Sequence, residues 1–240
     1  MKGNEMLISD PEAQLVANES DIFDRLLHLQ GSTVLELGCG KAEKTRSVAQ
    51  QAASVLALEV DKKQLAKNLA VTDLPNVRFA HGGAEEIPAS DSSYDIVLMF
   101  KSLHHVPIEM MDRAFSEIHR VLKPGGVAYI SEPVYAGNFN EVLKLFHDEK
   151  VVREAAFAAE IRAVSSGRLA LAEQSFFLQP MHFAGFAQFE EQVLKATHTE
   201  HRLSADTLEM VRSKFNSYMT PAGATFHTPI RVDLLRKPAA

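Results

Sequence analysis

The sequence predicts an α/β protein built on a doubly wound, mostly parallel sheet. Strand-like and helix-like segments alternate over residues 33–132, and this alternation is typical of parallel strands joined by right-handed helical crossovers. The apolar run that ends in Leu37 leads directly into the tight Gly38-Cys39-Gly40 turn. Such a turn brings bare backbone up to a nucleotide-like ligand. The 240 residues, 46% of them hydrophobic, suffice for one core, and we predict a single domain over 1–240.

Five strands are predicted in the first half of the chain. They are Thr33–Leu37, Ser54–Glu59, Val77–His81, Tyr94–Phe100 and Val127–Glu132. The fourth is a nearly continuous apolar run, as expected for a strand that is covered on both faces. Helices are predicted between the strands, over Ala42–Ala52, Lys62–Val71 and Pro107–Leu122. The last of these has proline at a favoured first-turn position and apolar residues at helical spacing.

The second half of the chain departs from this alternation. Residues 139–164 are predicted to be mainly helical, within a cap insertion over about 137–180. Two further strands are predicted at Gln188–Thr197 and Thr225–Arg236, with a helix after Ser204 between them. Twelve of the eighteen Phe and Tyr residues follow residue 130. These aromatic residues either line an apolar substrate pocket or pack in an ordinary core.

Composition narrows the classes of function. The net charge is −6 and no block of Lys or Arg is present, which disfavours binding to nucleic acid. A single cysteine rules out an internal disulfide and a Cys-rich metal site, and it fits a reducing compartment. No apolar run reaches the ~20 residues that span a bilayer, and Met1–Asp10 has no long apolar segment. We therefore expect a cytoplasmic protein without a membrane segment; nothing in the sequence indicates its oligomeric state.

Polar residues follow several of the predicted strands, where open α/β sheets bind ligands. Glu59 ends the second strand about 20 residues after the glycine turn, where an acid can accept two hydrogen bonds from ribose hydroxyls. Asp61 competes with it for this role. The loop His81–Pro88 follows the third strand, and its backbone groups could meet the edge of adenine.

This ordered set of features resembles the class I S-adenosylmethionine-dependent methyltransferases. Glu36-Leu37-Gly38-Cys39-Gly40 is similar to the family's first motif, Ala84-Glu85 falls in its adenine loop, and Leu122-Lys123-Pro124-Gly125-Gly126 is similar to a further signature. The resemblance covers about residues 30–135 and the C-terminal strands. It implies a Rossmann-like sheet of seven strands with an antiparallel C-terminal strand, and S-adenosylmethionine as the cofactor. The implied cofactor-binding residues are Glu36, Gly38, Cys39, Gly40, Glu59, Val60, Ala84, Glu85 and Phe100.

Two positions depart from the family's pattern. Ala42 replaces the third glycine of the first motif, a mild change if the local backbone is helical. Gly83 replaces the usual aspartate of the adenine loop, which removes an acceptor for the adenine amino group and leaves room for a modified cofactor. The backbone near Ala84 could still meet adenine. Cys39 is expected to be a small residue beneath the cofactor rather than a nucleophile.

The resemblance implies methyl transfer from a sulfonium to a small-molecule acceptor, mainly through proximity and orientation. His104 and His105 follow the fourth strand and are the candidate catalytic residues, since a neutral histidine can accept or orient a proton near pH 7. Either one could instead be a capping or packing residue. Lys101 either steers an anionic acceptor or lies in solvent. Glu132 and Tyr135, after the fifth strand, are further candidates for contact with the acceptor.

No metal site is predicted, because His182, His198, His201 and His227 are scattered in sequence. Three alternatives to a small-molecule methyltransferase remain open. A nicotinamide-dependent oxidoreductase fits poorly, since Glu43 occupies the position of its third glycine. A non-catalytic cofactor-binding or partner protein could keep the same fold. An RNA or protein methyltransferase is disfavoured by the acidic charge.

Overall fold

The computed structural model describes residues 6–195 and 203–239. The strands, in chain order, are β1 (Thr33–Leu37), β2 (Ser54–Glu59), β3 (Val77–His81), β4 (Tyr94–Phe100), β5 (Leu122–Pro133), β6 (Ala170–Phe183), β7 (Met219–Thr220) and β8 (Gly223–Arg236). The α-helices are α1 (Glu19–Leu26), α2 (Glu43–Ala49), α3 (Lys62–Asn68), α4 (Met111–Val121), α5 (Gly137–Leu143), α6 (Lys150–Ser165), α7 (Phe186–Phe189) and α8 (Ala205–Asn216). Short 3-10 turns lie at Leu103–His105 and Ile108–Met110.

The strands form one sheet in the order β3-β2-β1-β4-β5-β8-β6, and the two-residue β7 pairs with β8. Strands β1 to β5 are parallel to their neighbours. Strand β8 is antiparallel to both β5 and β6. The predicted Rossmann-like fold, with seven main strands and an antiparallel C-terminal strand, is therefore confirmed. Strand order reverses between β1 and β4, and ligands of open α/β sheets bind at such a switch point.

Strands β1 to β4 have the predicted bounds, and β1, β2 and β4 are apolar runs buried on both faces. Strand β3 is partly exposed and lies at the edge of the sheet. Helix α4 buries one apolar stripe, made of Met111, Ala114, Phe115, Ile118 and Val121. Their spacing of three and four residues places them on a single helix face, which packs in the same core as the sheet. The region that carries the sequence motifs is thus held by ordinary α/β packing.

The predicted strand Gln188–Thr197 is wrong. Helix α7 covers Phe186–Phe189, and a π-helical turn follows at Glu190–Leu194; residues 196–197 of the prediction lie outside the described residues. The sixth strand is instead β6 at 170–183, so the helices of the predicted cap end at Ser165 rather than near 180. Strand β6 was not predicted because it is an edge strand whose apolar residues are interrupted by Glu173-Gln174-Ser175 and by Gln179-Pro180.

The aromatic residues of the second half form a core of their own. Phe183, Phe186, Phe189, Phe215 and Phe226 are buried in one cluster contributed by β6, β8, α7 and α8. Their rings touch one another, with the centroids of Phe189 and Phe215 5.0 Å apart. This arrangement supports core packing over an apolar substrate pocket. Among the described residues, no helix combines the length and the apolar character needed to cross a bilayer.

Candidate active site

The loop after β1 adopts a left-handed backbone at both glycines of the first motif. The φ angle is 76° at Gly38 and 50° at Gly40. A Cβ at Gly38 would lie 2.8 Å from the Cβ of Ser102, whereas a Cβ at Gly40 would meet no atom of the described residues within 4 Å. Gly38 is thus required by packing against the loop after β4. Gly40 leaves open space where a ligand can approach the backbone.

Ala42 has a φ of 61° and lies in the left-handed region immediately before α2. The third-glycine position therefore does not have the right-handed helical backbone in which alanine would be a mild change. An alanine in this conformation costs about 1–2 kcal/mol relative to the right-handed region. The turn retains the geometry of a glycine motif at this position, and the chain tolerates the strain in a fully buried residue.

Glu59 lies against the glycine turn. Its Oε2 accepts a hydrogen bond from the Gly40 amide at 2.8 Å, and its Oε1 accepts one from the Asp61 amide at 2.9 Å. Asp61 itself caps α3, accepting a hydrogen bond from the Lys63 amide at 2.8 Å. Of the two candidate acids, Glu59 therefore faces the turn, and Asp61 serves the helix.

Glu36 is buried beneath the same turn, 2% exposed. Its Oε2 accepts no hydrogen bond from the described residues. Burial raises the pKa of this carboxyl from its usual 4.5 to about 7. A buried carboxyl with an unsatisfied oxygen suits a ligand that brings a positive charge or a hydrogen-bond donor.

Cys39 behaves as a packing residue. It is 6% exposed, and the side-chain amide of Asn68 lies 3.4 Å from its Sγ. Burial raises the pKa of this thiol far above its usual range, so the nucleophilic thiolate is not formed near neutral pH.

The adenine loop supplies a carboxylate from an unexpected position. A Cβ built on Gly83 would collide with the side chain of Glu85, whose Cδ would lie 2.7 Å away. Glu85 thus fills the space that an aspartate side chain at position 83 would enter. Ala84 is buried beside it, and Val60, after β2, is 57% exposed. Phe100 packs instead against Phe23 and Tyr129, with ring centroids 5.7 and 5.5 Å away.

His104, in the turn after β4, lies between two glutamates: Glu132 near the end of β5 and Glu149 just before α6. Its Nδ1 is hydrogen-bonded to Glu132, and its Nε2 lies 3.6 Å from Oε1 of Glu149. Burial alone would lower the pKa of His104, but the two carboxylates raise it to about 9. Burial alone would raise the pKa of Glu132, and the His104 cation instead keeps it below its usual value. His104 is therefore protonated at neutral pH and is poorly suited to accept a proton.

His105 is exposed, with its ring centroid 4.1 Å from that of His104. Lys101 was expected either to steer an anionic acceptor or to lie in solvent, and its contacts fit neither role. Its ammonium donates to Oε2 of the buried Glu19 at 2.9 Å and to Oε1 of Gln179 at 2.6 Å. It therefore ties α1 and β6 to the end of β4.

A cavity of about 330 Å³ lies between the end of β5 and the start of α6. Tyr135, one of the residues expected to contact the acceptor, lines it together with Lys150, Arg153, Glu154 and Arg231. Glu132 is not among its lining residues and is hydrogen-bonded to Nδ1 of His104 instead. Of the four histidines named in the second half of the sequence, His182 and His227 lie on the paired strands β6 and β8, and His198 and His201 lie outside the described residues.

Comparison with known proteins is consistent with this geometry. Residues 35–130 match the family model described as a methyltransferase domain. A probable S-adenosylmethionine-dependent methyltransferase of Mycolicibacterium smegmatis is 36% identical over 115 residues, which cover 47% of this chain and 42% of that protein. A demethylmenaquinone methyltransferase of Chlorobaculum parvum is 33% identical over 106 residues, covering 44% and 42%.

Residues 35–130 belong to the class I S-adenosylmethionine-dependent methyltransferase family. The matched region of this chain spans less than half the length of these curated relatives.

Solved structures show the methyltransferase fold over nearly the whole chain. YcgJ of Bacillus subtilis aligns with a TM-score of 0.64 and 17% identity, covering 92% of this chain and 98% of that one. SpnF, named as a [4+2]-cyclase, aligns with a TM-score of 0.56 and 20% identity, covering 92% and 80%. Identities this low indicate the fold alone, and a fold does not fix the reaction.

Sequence reasoning missed two residues of the candidate site, Glu149 and Arg153. They lie at the start of α6, far along the chain from the histidine pair, and their side chains are hydrogen-bonded at 2.6 Å. No motif marks them, because their spacing of four residues is common to surface ion pairs on helices. Only tertiary packing of α6 against the His104 segment brings them into the site.

Proposed function

We propose that the chain binds S-adenosylmethionine at the glycine turn and transfers its methyl group to a small-molecule acceptor. The observation that carries this proposal is the Glu59 carboxylate held against the Gly40 amide. Relatives named as S-adenosylmethionine-dependent and demethylmenaquinone methyltransferases support both the cofactor and an acceptor of small size.

The residues present fit this cofactor. Each Glu59 oxygen accepts one backbone hydrogen bond and keeps a further lone pair for a ribose hydroxyl. The unsatisfied Glu36 oxygen suits the amino acid end, and Gly40 leaves the backbone open to it. Glu85 supplies the carboxylate that Gly83 lacks, next to the backbone of Ala84. When bound, the cofactor supplies an electrophilic methyl group on a sulfonium.

The chain's own contribution is chiefly to hold the acceptor in line and to exclude water. The cavity beside Tyr135 is at the lower end of the size range of small-molecule pockets. The histidine pair does not line this cavity, but Arg153, which does, is hydrogen-bonded to Glu149, whose other oxygen lies 3.6 Å from Nε2 of His104. Where the acceptor atom must lose a proton, His105 receives it, because His104 already carries one.

The test is calorimetric titration with S-adenosylmethionine and S-adenosylhomocysteine. In Glu59→Ala, two hydrogen bonds to a charged group are lost, at about 1.5 kcal/mol each, and the affinity should fall about 100-fold. Asp61→Ser is the matched control, since it removes the neighbouring carboxylate but keeps an oxygen that can cap α3. We expect this variant to bind within a few-fold of the wild type.

NAD serves as the control ligand and should not bind. The cofactor assignment is wrong if the wild type binds neither S-adenosyl compound, or if Glu59→Ala leaves both affinities unchanged. Binding without turnover on any small acceptor would leave a cofactor-binding protein and overturn the proposed reaction alone.

A further inference from the structure

Side chains from two separate segments converge beside the proposed acceptor cavity. His104 and His105 come from the 3-10 turn after β4, and Glu149 immediately precedes α6. One ligating atom from each of the three lies within 4.8 Å of the other two. We propose that His104, His105 and Glu149 bind a divalent transition metal ion of the zinc class. This goes beyond the proposed methyl transfer and does not rest on it, and it departs from the expectation that the chain has no metal site.

The separations suit such an ion. Zinc bonds of about 2.0–2.1 Å at tetrahedral angles place two ligand atoms about 3.3 Å apart. Nε2 of His104 and Oε1 of Glu149 are 3.6 Å apart, a few tenths of an ångström from that value. The ligand atom of the exposed His105 lies within 4.8 Å of those of His104 and Glu149. Because His105 is exposed, its ring can move toward the ion without disturbing the core.

Outer groups orient two of the three ligands. Glu132 is buried and hydrogen-bonded to Nδ1 of His104, while its other oxygen accepts a hydrogen bond from the Leu103 amide at 2.9 Å. With Nδ1–H donated to Glu132, an ion would replace the proton that Nε2 carries toward Glu149 in the ion-free protein, and that proton would be released to solvent. Carboxylate–histidine pairs of this kind accompany most metal-bound histidines. A guanidinium nitrogen of Arg153 donates to Oε2 of Glu149 at 2.6 Å. The other oxygen, Oε1, lies 3.6 Å from Nε2 of His104 and is hydrogen-bonded to Nε2 of His147 at 2.9 Å, a contact that the ion would compete with.

The donor set selects the class of metal. Two imidazoles and one carboxylate favour zinc and neighbouring divalent ions, whereas magnesium and calcium prefer oxygen ligands alone. Three protein ligands leave a position open, which is typical of catalytic rather than structural sites. With an ion bound, His105 would be a metal ligand and could not also accept a proton. The ion would instead polarise an acceptor oxygen.

The experiment uses the full chain without an affinity tag, stripped with a chelator and titrated with Co²⁺ and Zn²⁺ in the absence of any S-adenosyl compound. We expect one Co²⁺ per chain, with visible ligand-field bands of a low-coordinate nitrogen and oxygen site, displaced by Zn²⁺. His105→Asn and Glu149→Gln should each weaken binding at least about 10–100-fold, the range seen when even an outer partner is lost.

Matched controls separate this cluster from general surface binding. His182→Asn changes an exposed histidine on β6, and Glu154→Gln changes an exposed carboxylate one turn beyond Glu149 on α6. Both controls should bind Co²⁺ as the wild type does. Thermal denaturation of each variant verifies folding, and His105→Asn is the safest variant because its side chain is exposed.

The proposal is overturned if the stripped wild type binds neither ion stoichiometrically. It is equally overturned if His105→Asn and Glu149→Gln, both folded, retain the wild-type affinity and spectrum. Because the titrations contain no S-adenosyl compound, either result leaves the proposed methyl transfer untouched.

Discussion

At the scale of single residues, the adenine loop shows how one side chain takes the place of another. The sequence pattern marks Gly83 as the loss of an acceptor for the adenine amino group. In the folded chain, the Glu85 carboxylate occupies the space in front of Gly83, where no side chain competes with it. A glycine at this position is therefore what admits Glu85.

If Glu85 accepts the hydrogen bond from the adenine amino group, removing its carboxylate should change the selectivity for the base. Glu85→Ala should weaken S-adenosylhomocysteine binding about tenfold or more, since a hydrogen bond to a charged acceptor contributes about 1.5–3 kcal/mol. The variant should also lose any preference over S-inosylhomocysteine, which lacks the amino donor. Calorimetry measures both affinities. Glu86→Ala is the control, because the side chain of Glu86 is exposed next to the loop.

A preference for the adenosyl compound that persists unchanged in Glu85→Ala would place the acceptor elsewhere in the loop. The backbone of Ala84 would then be its source.

The candidate cofactor-binding residues could be predicted from the sequence because they follow successive strands in a fixed order along the first half of the chain. Gly38 and Glu59 each follow a buried strand, and parallel strands bring their carboxyl ends to one edge. Glu149 could not be predicted in this way. Its position depends on how α6 packs against the turn after β4, and no local pattern encodes that contact.

At the scale of elements, α6 is joined to the sheet by a buried cluster of charges. Arg231 on β8 lies 2.7 Å from Glu160 of α6 and 2.5 Å from Asp233, and all three side chains are at most 3% exposed. Burial and the nearby Asp233 raise the pKa of Glu160 well above its usual value. The guanidinium is thus the one cation that offsets this buried acidic pair, among the described residues.

Removing that cation should be costly. Arg231→Met leaves Asp233 and Glu160 buried without their partner, and we expect a loss of about 3–5 kcal/mol in the free energy of unfolding. Arg162→Met makes the same change on α6, where the guanidinium pairs with Asp112 at the surface, both about half-exposed. That control should lose less than about 1 kcal/mol. Urea denaturation compares the two variants, and equal losses would show that the buried cluster contributes no more than a surface pair.

Whether a strand could be predicted depends on how regular its pattern of apolar residues is. Strands β1, β2 and β4 are largely apolar runs, and the bounds of β1 to β4 agree with the prediction to the residue. Strand β6 has no such run, because it lies at the sheet edge and exposes residues such as Glu173. The segment predicted as a strand at Gln188–Thr197 places Phe189 and Val193 four residues apart, which is the helical spacing that the structure adopts over 186–194.

At the scale of the whole molecule, the second half contributes a packed aromatic core and two long antiparallel strands, β6 and β8, to a sheet that the first half begins. The aromatic enrichment of this half stabilises that core, so it carries no information about an apolar acceptor. The charged lining of the cavity at the end of β5 is the better guide to the acceptor's chemistry.

The free energy of unfolding of the whole chain should depend on pH through one buried acid of the site, Glu36. Glu36 has its pKa raised by burial from 4.5 to about 7, so the folded state favours the protonated form. The resulting contribution to stability is complete below about pH 4.5 and is lost as the pH rises through 7. A shift of this size corresponds to about 3 kcal/mol.

Glu36→Gln removes this titration and keeps the shape of the side chain. Relative to the wild type, the variant should therefore gain up to about 3 kcal/mol in unfolding free energy between pH 5 and pH 8, because other groups titrate alike in both proteins. Urea denaturation of the ligand-free chain at both pH values measures the difference. Glu43→Gln, in the exposed first turn of α2, should parallel the wild type. If Glu36→Gln also runs parallel, Glu36 is ionised in the folded chain throughout this range, and its unsatisfied oxygen has a partner in solution.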